Sequence, residues 1–185
     1  MDMSGPGTSV RYSGAQRDDP GMARLHSASA DQTRRLGMAL GVLLAPGDVV
    51  LLEGELGAGK TALTQGIGAG MGVHGVINSP TFTILKEYMG RIPLYHFDLY
   101  RIESPDEVYT LGFEDYFAGE GACVVEWAER GEPGTDAPWP ESYLRVRLRA
   151  DGAAGSEIRQ IEVTGAGPRG AELQAAWTRA AAEES

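Results

Sequence analysis

Residues 54–61 read Gly54-Glu55-Leu56-Gly57-Ala58-Gly59-Lys60-Thr61, the full G-x-x-x-x-G-K-[ST] pattern of a phosphate-binding loop. Each residue type has a physical task. The glycines let successive backbone N–H groups turn inward and form an anion-binding nest. Lys60 adds a point positive charge for β- and γ-phosphates, and the Thr61 hydroxyl is a hard oxygen ligand for Mg²⁺. A helix opening at this loop adds its N-terminal partial charge to the same anion.

Such a loop is half a site, because the metal also calls for a carboxylate at the end of a neighbouring strand. Two candidates end apolar runs: Asp98 in Leu94-Tyr95-His96-Phe97-Asp98, and Glu126 in Ala122-Cys123-Val124-Val125-Glu126. In an open parallel sheet both lie at the carboxyl edge, where ligands bind. One would hold the metal and the other orient an attacking water; a structural ion pair is the alternative for either. Ser79-Pro80-Thr81 follows the loop helix, so Thr81 is either a γ-phosphate or Mg²⁺ contact or an ordinary turn hydroxyl. Arg101 and Arg130 follow the two acids, with surface salt bridges as the simpler role for both. His96 reads as a packed histidine, and Trp127 as a packing or partner-contact residue.

The elements that must position these groups are legible in the patterning. Asp48 to Glu53 is a short apolar run suited to a buried parallel strand, and Thr61 to Met71 suits a helix stopped by Gly72. Ser29 to Ala45 predicts a helix with Leu36, Leu40, Leu43 and Leu44 on one face. Thr81 to Tyr88 and Ile92 to Leu99 flank a turn at Met89-Gly90-Arg91 and predict a hairpin. Ser104-Pro105-Asp106-Glu107 starts a helix that ends near Gly112, and Phe113 to Phe117 forms a further helical turn. Ala122 to Glu126 is a buried strand, and Glu129 to Pro140 a loop. Ser142 to Ala150 alternates, with Arg145, Arg147 and Arg149 expected on a solvated face. Glu157 to Val163 is a strand and Ala171 to Ala182 a helix. The fold class predicted is α/β: a mainly parallel sheet with helices on both faces and one β-hairpin.

Composition bounds the rest. The 185 residues predict a disordered extension over 1–22, with Met22 a candidate translation start, and one domain over 23–185. Net charge of −10 argues against the whole surface being a nucleic-acid platform, which needs clustered Lys and Arg, and leaves open action on a nucleic-acid pathway through a protein partner. A hydrophobic content of 42% with a mean hydropathy of −0.22 fits a soluble protein. No membrane span or export signal is read, so the cytoplasm is the expected location. Cys123, the single cysteine, reads as a small buried residue, and three scattered histidines give no zinc pattern.

Five segments then line up in order: Leu52 through Thr61, Ser79-Pro80-Thr81-Phe82-Thr83, Tyr95-His96-Phe97-Asp98-Leu99-Tyr100-Arg101, Gly112-Phe113-Glu114-Asp115-Tyr116-Phe117, and Val124-Val125-Glu126-Trp127. Over about residues 25–150 the chain resembles the TsaE (YjeE) family, the ATPase component of bacterial tRNA threonylcarbamoyladenosine synthesis. The resemblance implies a phosphate-loop NTPase that uses ATP and Mg²⁺. Glu55, Leu56, Gly57, Ala58, Gly59, Lys60, Thr61, Ala62 and Thr81 would contact the nucleotide. Thr61 and Glu126 would ligate Mg²⁺, Asp98 would assist the metal or position water, and Ser79 to Phe82 would act as a switch-like loop. The implied partners are the threonylcarbamoyl transferase and its paralogous scaffold subunit, with tRNA contacted only indirectly. Such members hydrolyse ATP weakly alone, and hydrolysis resets the complex between turnovers. One departure is Ala62, where family members often carry a second threonine, so a backbone amide must serve there. Residues from Asp151 onward match no usable pattern. Two other functions fit a phosphate loop: a small-molecule kinase, which usually carries an arginine-bearing lid that is not seen after Glu126, and a nucleotide-gated scaffold without turnover.

Overall fold

Seven strands join in one sheet in the computed structural model, which describes residues 21–79, 83–132, 138–152 and 156–183. In chain order the elements are β1 (Ala23–Ser27), α1 (Ala30–Leu43), β2 (Val49–Glu53), α2 (Lys60–Gly70), β3 (Leu85–Met89) and β4 (Pro93–Asp98). They continue with α3 (Pro105–Tyr109), α4 (Phe113–Phe117), β5 (Ala122–Glu126), a 3₁₀ turn (Ala128–Gly131), β6 (Tyr143–Ala150), β7 (Arg159–Ala166) and α5 (Gly167–Glu183). The spatial order is β1-β7-β6-β2-β5-β4-β3.

The four central strands, β6, β2, β5 and β4, run parallel, and the flanking β1/β7, β7/β6 and β3/β4 pairings are antiparallel. β2 and β5 are buried at every position, as their unbroken apolar sequences require of strands covered on both faces. Parity along β2 divides the core. Val50 and Leu52 pack with Leu40, Leu63, Ile67 and Trp177 from α1, α2 and α5. Val49 and Leu51 pack with Phe97, Val108 and Phe113 on the face that carries α3 and α4.

Local chemistry sets the helix ends. The Ser29 hydroxyl accepts from Gln32 N–H at 3.1 Å and caps α1, whose bounds fall within one or two residues of those expected. α2 stops where Gly72 N–H donates to the Ala69 carbonyl at 3.0 Å and Val73 N–H to that of Gly68 at 2.9 Å. α1 and α2 meet backbone to backbone: a methyl group at Gly37 would lie 2.3 Å from the Leu63 carbonyl oxygen, and one at Gly66 2.0 Å from that of Arg34. Trp177 of α5 is fully buried and donates from Nε1 to the Leu36 carbonyl at 2.8 Å. Arg169 grips the buried Asp48 with Nε at 2.8 Å and Nη2 at 2.7 Å, tying α5 to the entry of β2.

The hairpin forms as expected, its first strand running from Leu85 to Met89; Thr81 and Phe82, the expected start of that strand, lie outside the described residues. Two expectations need correction. Ala23–Ser27, not anticipated as an element, is an edge strand that pairs with β7 from Ala23 opposite Val163 to Ser27 opposite Arg159. The arginines of β6 are not simply solvated. Arg145 pairs with both Glu53 and Glu132, and Arg147 bonds Glu53 through Nε at 2.9 Å and Nη2 at 2.7 Å. Glu53 is buried, and an unpaired carboxylate there would be costly, so Arg145 and Arg147 are drawn onto it. The expected disorder of 1–22 falls almost entirely outside the described residues. Among the described residues no helix is long and apolar enough to cross a membrane.

Candidate functional site

β2 delivers the phosphate loop at the carboxyl edge of the sheet, between β6 and β5. Gly54 leaves the strand with φ of 136°, and a methyl group there would lie 2.3 Å from the Leu148 carbonyl oxygen. Gly59 caps α2 in the left-handed region at φ of 107° and offers no capping side chain, so the first amides of α2 remain for another acceptor. The loop is held from within by a 3.1 Å bond from Ala58 N–H to the Glu55 carbonyl.

Lys60 is 5% exposed. Its ammonium donates to the Gly54 carbonyl and, at 3.0 Å, to that of Glu55, and lies 3.6 Å from the centroid of the Trp127 ring. An ammonium has three donors, so one is left for a phosphate oxygen. Burial lowers the Lys60 pKa below its ordinary value, against the raising effect of Glu126, Glu129 and Asp98.

Glu126 ends β5 fully buried and accepts three hydrogen bonds. Thr61 Oγ1 donates to Oε2 at 3.1 Å, Thr64 Oγ1 to Oε1 at 2.9 Å, and His96 Nε2 to Oε1 at 3.0 Å. Burial alone would raise this carboxyl. The His96 hydrogen bond and charge, with the Thr64 and Thr61 hydroxyls, outweigh it and hold the pKa below the ordinary carboxylate value. Because an ionised carboxylate only accepts, His96 Nε2 is the donor in this pair. Its Nδ1 is buried and without a hydrogen-bond partner among the described residues.

Asp98 lies opposite Glu126 in the parallel register of β4 and β5. Its Oδ2 accepts from the Ser79 hydroxyl, and its Oδ1 from Tyr100 N–H at 2.9 Å. The two acids thus differ in company: Glu126 joins the loop helix, and Asp98 joins the segment leading to Pro80. A cleft of about 380 Å³ opens between them, lined by Leu56 to Ala62, Ser79, Thr83, Ile84, Asp98, Tyr100, Arg101, Glu126 and Trp127.

The structure therefore gathers at one cleft Leu56, Gly57, Ala58, Gly59, Lys60, Thr61, Ala62, Asp98 and Glu126. Glu55 stands beside it, lining a second hollow of about 700 Å³ across the loop, and its carbonyl holds Lys60. Thr81 lies outside the described residues. Arg101 lines the cleft. Arg130 forms no salt bridge among the described residues; it donates to the Ile102 carbonyl at 3.2 Å and stacks on Tyr100 and Trp127, at 5.0 and 5.4 Å from the ring centroids. Trp127 packs on Tyr100 and adopts the left-handed region at φ of 59°, a conformation that disfavours large side chains and so is held by its surroundings. Sequence reasoning missed Thr64. Its signal was its place three residues after Thr61 on a helix, which puts both hydroxyls on one face. His96 is packed as expected, and it also supports the acid.

These donors suit Mg²⁺: a hydroxyl and carboxylates, all hard oxygen ligands. Among the described residues no group of three or more His, Cys, Asp or Glu forms an all-protein metal cage. An ion held partly by substrate phosphates needs none.

A family model described as threonylcarbamoyl adenosine biosynthesis protein TsaE matches residues 27–160. A Bacillus subtilis protein named tRNA threonylcarbamoyladenosine biosynthesis protein TsaE is 42% identical over 144 residues, which cover 77% of this chain and 85% of that protein. A Nostoc protein of the same name is 46% identical over 149 residues, covering 77% and 86%. The crystal structure of Bacillus subtilis YdiB superposes with a TM-score of 0.69 at 34% identity, over 85% of this chain and 95% of that one.

Proposed function

The chain belongs to the TsaE family, whose members serve tRNA threonylcarbamoyladenosine biosynthesis, and from that premise we propose that it is a Mg²⁺-dependent ATPase driving the enzyme complex that makes this modification. The observation that carries the proposal is the hydroxyl–carboxylate pair beside the phosphate loop: Thr61 bonded to Glu126, with Asp98 at the next strand end.

The loop amides and Lys60 hold the triphosphate. Thr61 and Glu126 would hold Mg²⁺, which would supply Lewis-acid neutralisation of phosphate charge. Asp98, free of the helix and facing the same cleft, orients the water. Phosphoryl transfer of this kind needs little covalent help from the protein, so positioning and electrostatics supply the rate. The acidic chain docks on the transferase and its paralogous scaffold subunit and reaches tRNA only through them. Its activity is weak alone and rises in the complex.

The test is reconstitution with the transferase pair and tRNA, counting modified adenosines per complex. Repeated turnover with ATP, release of phosphate to water and loss of both with Lys60→Ala support the proposal. Equal yields with and without ATP would sink it, and phosphate transfer to a small acceptor would make the protein a kinase.

A further inference from the structure

The phosphate loop is gripped from behind by a cation far away in the chain. Arg159, the first residue of β7, donates from Nε to the Ala58 carbonyl at 3.0 Å and from Nη2 to the Gly57 carbonyl at 3.3 Å. Its Nη1 donates to the carbonyls of Ser156 and, at 2.9 Å, Ile158, which fixes the guanidinium on its own strand. No carboxylate pairs with it among the described residues.

We propose that Arg159 is a positioning residue for triphosphate binding: it holds the Gly57 and Ala58 carbonyls so that the Gly59 amide turns to the cleft. The proposal rests on the phosphate-binding role given above. Its physical basis is the planar trans peptide, in which C=O and N–H point to opposite sides. Fixing the Ala58 carbonyl on Arg159 turns the Gly59 N–H away from Arg159; Gly59 lines the cleft. Lys60, from the cleft side, bonds the carbonyls of Gly54 and Glu55. Two cations thus hold four of the five carbonyls from Gly54 to Ala58, all but that of Leu56. Gly57 and Gly59 both have positive φ and would otherwise sample many orientations. Arg159 also brings a positive charge to the loop, with no carboxylate paired to it among the described residues, and a planar fork suits two adjacent carbonyls as an ammonium does not.

The test has two arms on the full chain: amide hydrogen exchange without nucleotide, and calorimetric titration with Mg·ATP, for wild type, Arg159→Ala, Arg159→Lys and Lys60→Ala. In Arg159→Ala the Ala58 and Leu63 amides should exchange about ten-fold faster, while those of Val50 and Ile161 keep their protection; Mg·ATP should bind about ten-fold more weakly with kcat little changed. Arg159→Lys should fall between, since it keeps the charge and loses the fork. Unchanged Ala58 and Leu63 exchange, or loosening spread evenly along β7, would overturn the proposal whatever nucleotide does. A wild-type protein that binds no Mg·ATP would instead overturn the phosphate-binding role, while the exchange arm still decides the pinning.

Discussion

Thr61 and Glu126, 65 residues apart, are joined by a 3.1 Å hydrogen bond from Oγ1 to Oε2. The bond links the first turn of α2 to the end of β5, and it places the hydroxyl of the loop beside the better buried of the two acids. Thr64 and His96 complete the set around Glu126, and the carboxylate stays ionised because three donors offset its burial.

That arrangement has a pH signature. The folded pKa of Glu126 lies below its ordinary value of 4.5, so the carboxylate stabilises the fold above that pH and loses this contribution as pH falls below it. Melting curves of wild type and Glu126→Gln between pH 7 and 3 should converge on acidification. A constant gap between them would show that Glu126 is not held ionised.

The two acids should separate kinetically. Asp98→Asn should lower kcat about a hundred-fold with a small change in nucleotide affinity, as expected of a group that positions the attacking water. Glu126→Gln should lower kcat and raise the Mg²⁺ concentration needed for half-maximal rate. If Asp98→Asn instead shifts the Mg²⁺ requirement and Glu126→Gln does not, the two roles are exchanged.

Gly37→Ala should destabilise the protein by about 1–3 kcal/mol, because the added methyl meets the Leu63 carbonyl oxygen at the α1–α2 contact. Urea unfolding measures this. A neutral effect would mean that the helices separate easily there.

Cys123 should resist thiol reagents in the native state. Burial pushes its pKa up to about 12, so almost no thiolate forms at neutral pH. Because the folded pKa is raised above the ordinary 9.0, its contribution to stability is whole below pH 9 and is lost as pH climbs towards about 12. Reaction with a disulfide reagent at pH 8 should wait on unfolding; rapid labelling of folded protein would contradict the buried placement.

The parts of the site that are local in sequence were legible from it. The loop, its flanking strand and helix, the hairpin and the acid-ended strands at 98 and 126 each carry their signal within a dozen residues, in glycine spacing and apolar runs. What escaped joins distant residues. Ala23–Ser27 is too short and mixed to announce a strand, and becomes one only through β7. Arg159 meets a loop 101 residues earlier, and Arg145 meets Glu53 across 92. Charge alternation on β6 looked like a solvated face because the partner strand's buried glutamate has no mark of its own in sequence.

The most direct measurement is a calorimetric titration of the full chain with ATP, with and without Mg²⁺, beside Lys60→Ala. One nucleotide should bind per chain, more tightly with Mg²⁺, and with an affinity about 10- to 100-fold lower in the variant. Binding of equal strength in both proteins, or no binding by wild type, would contradict this.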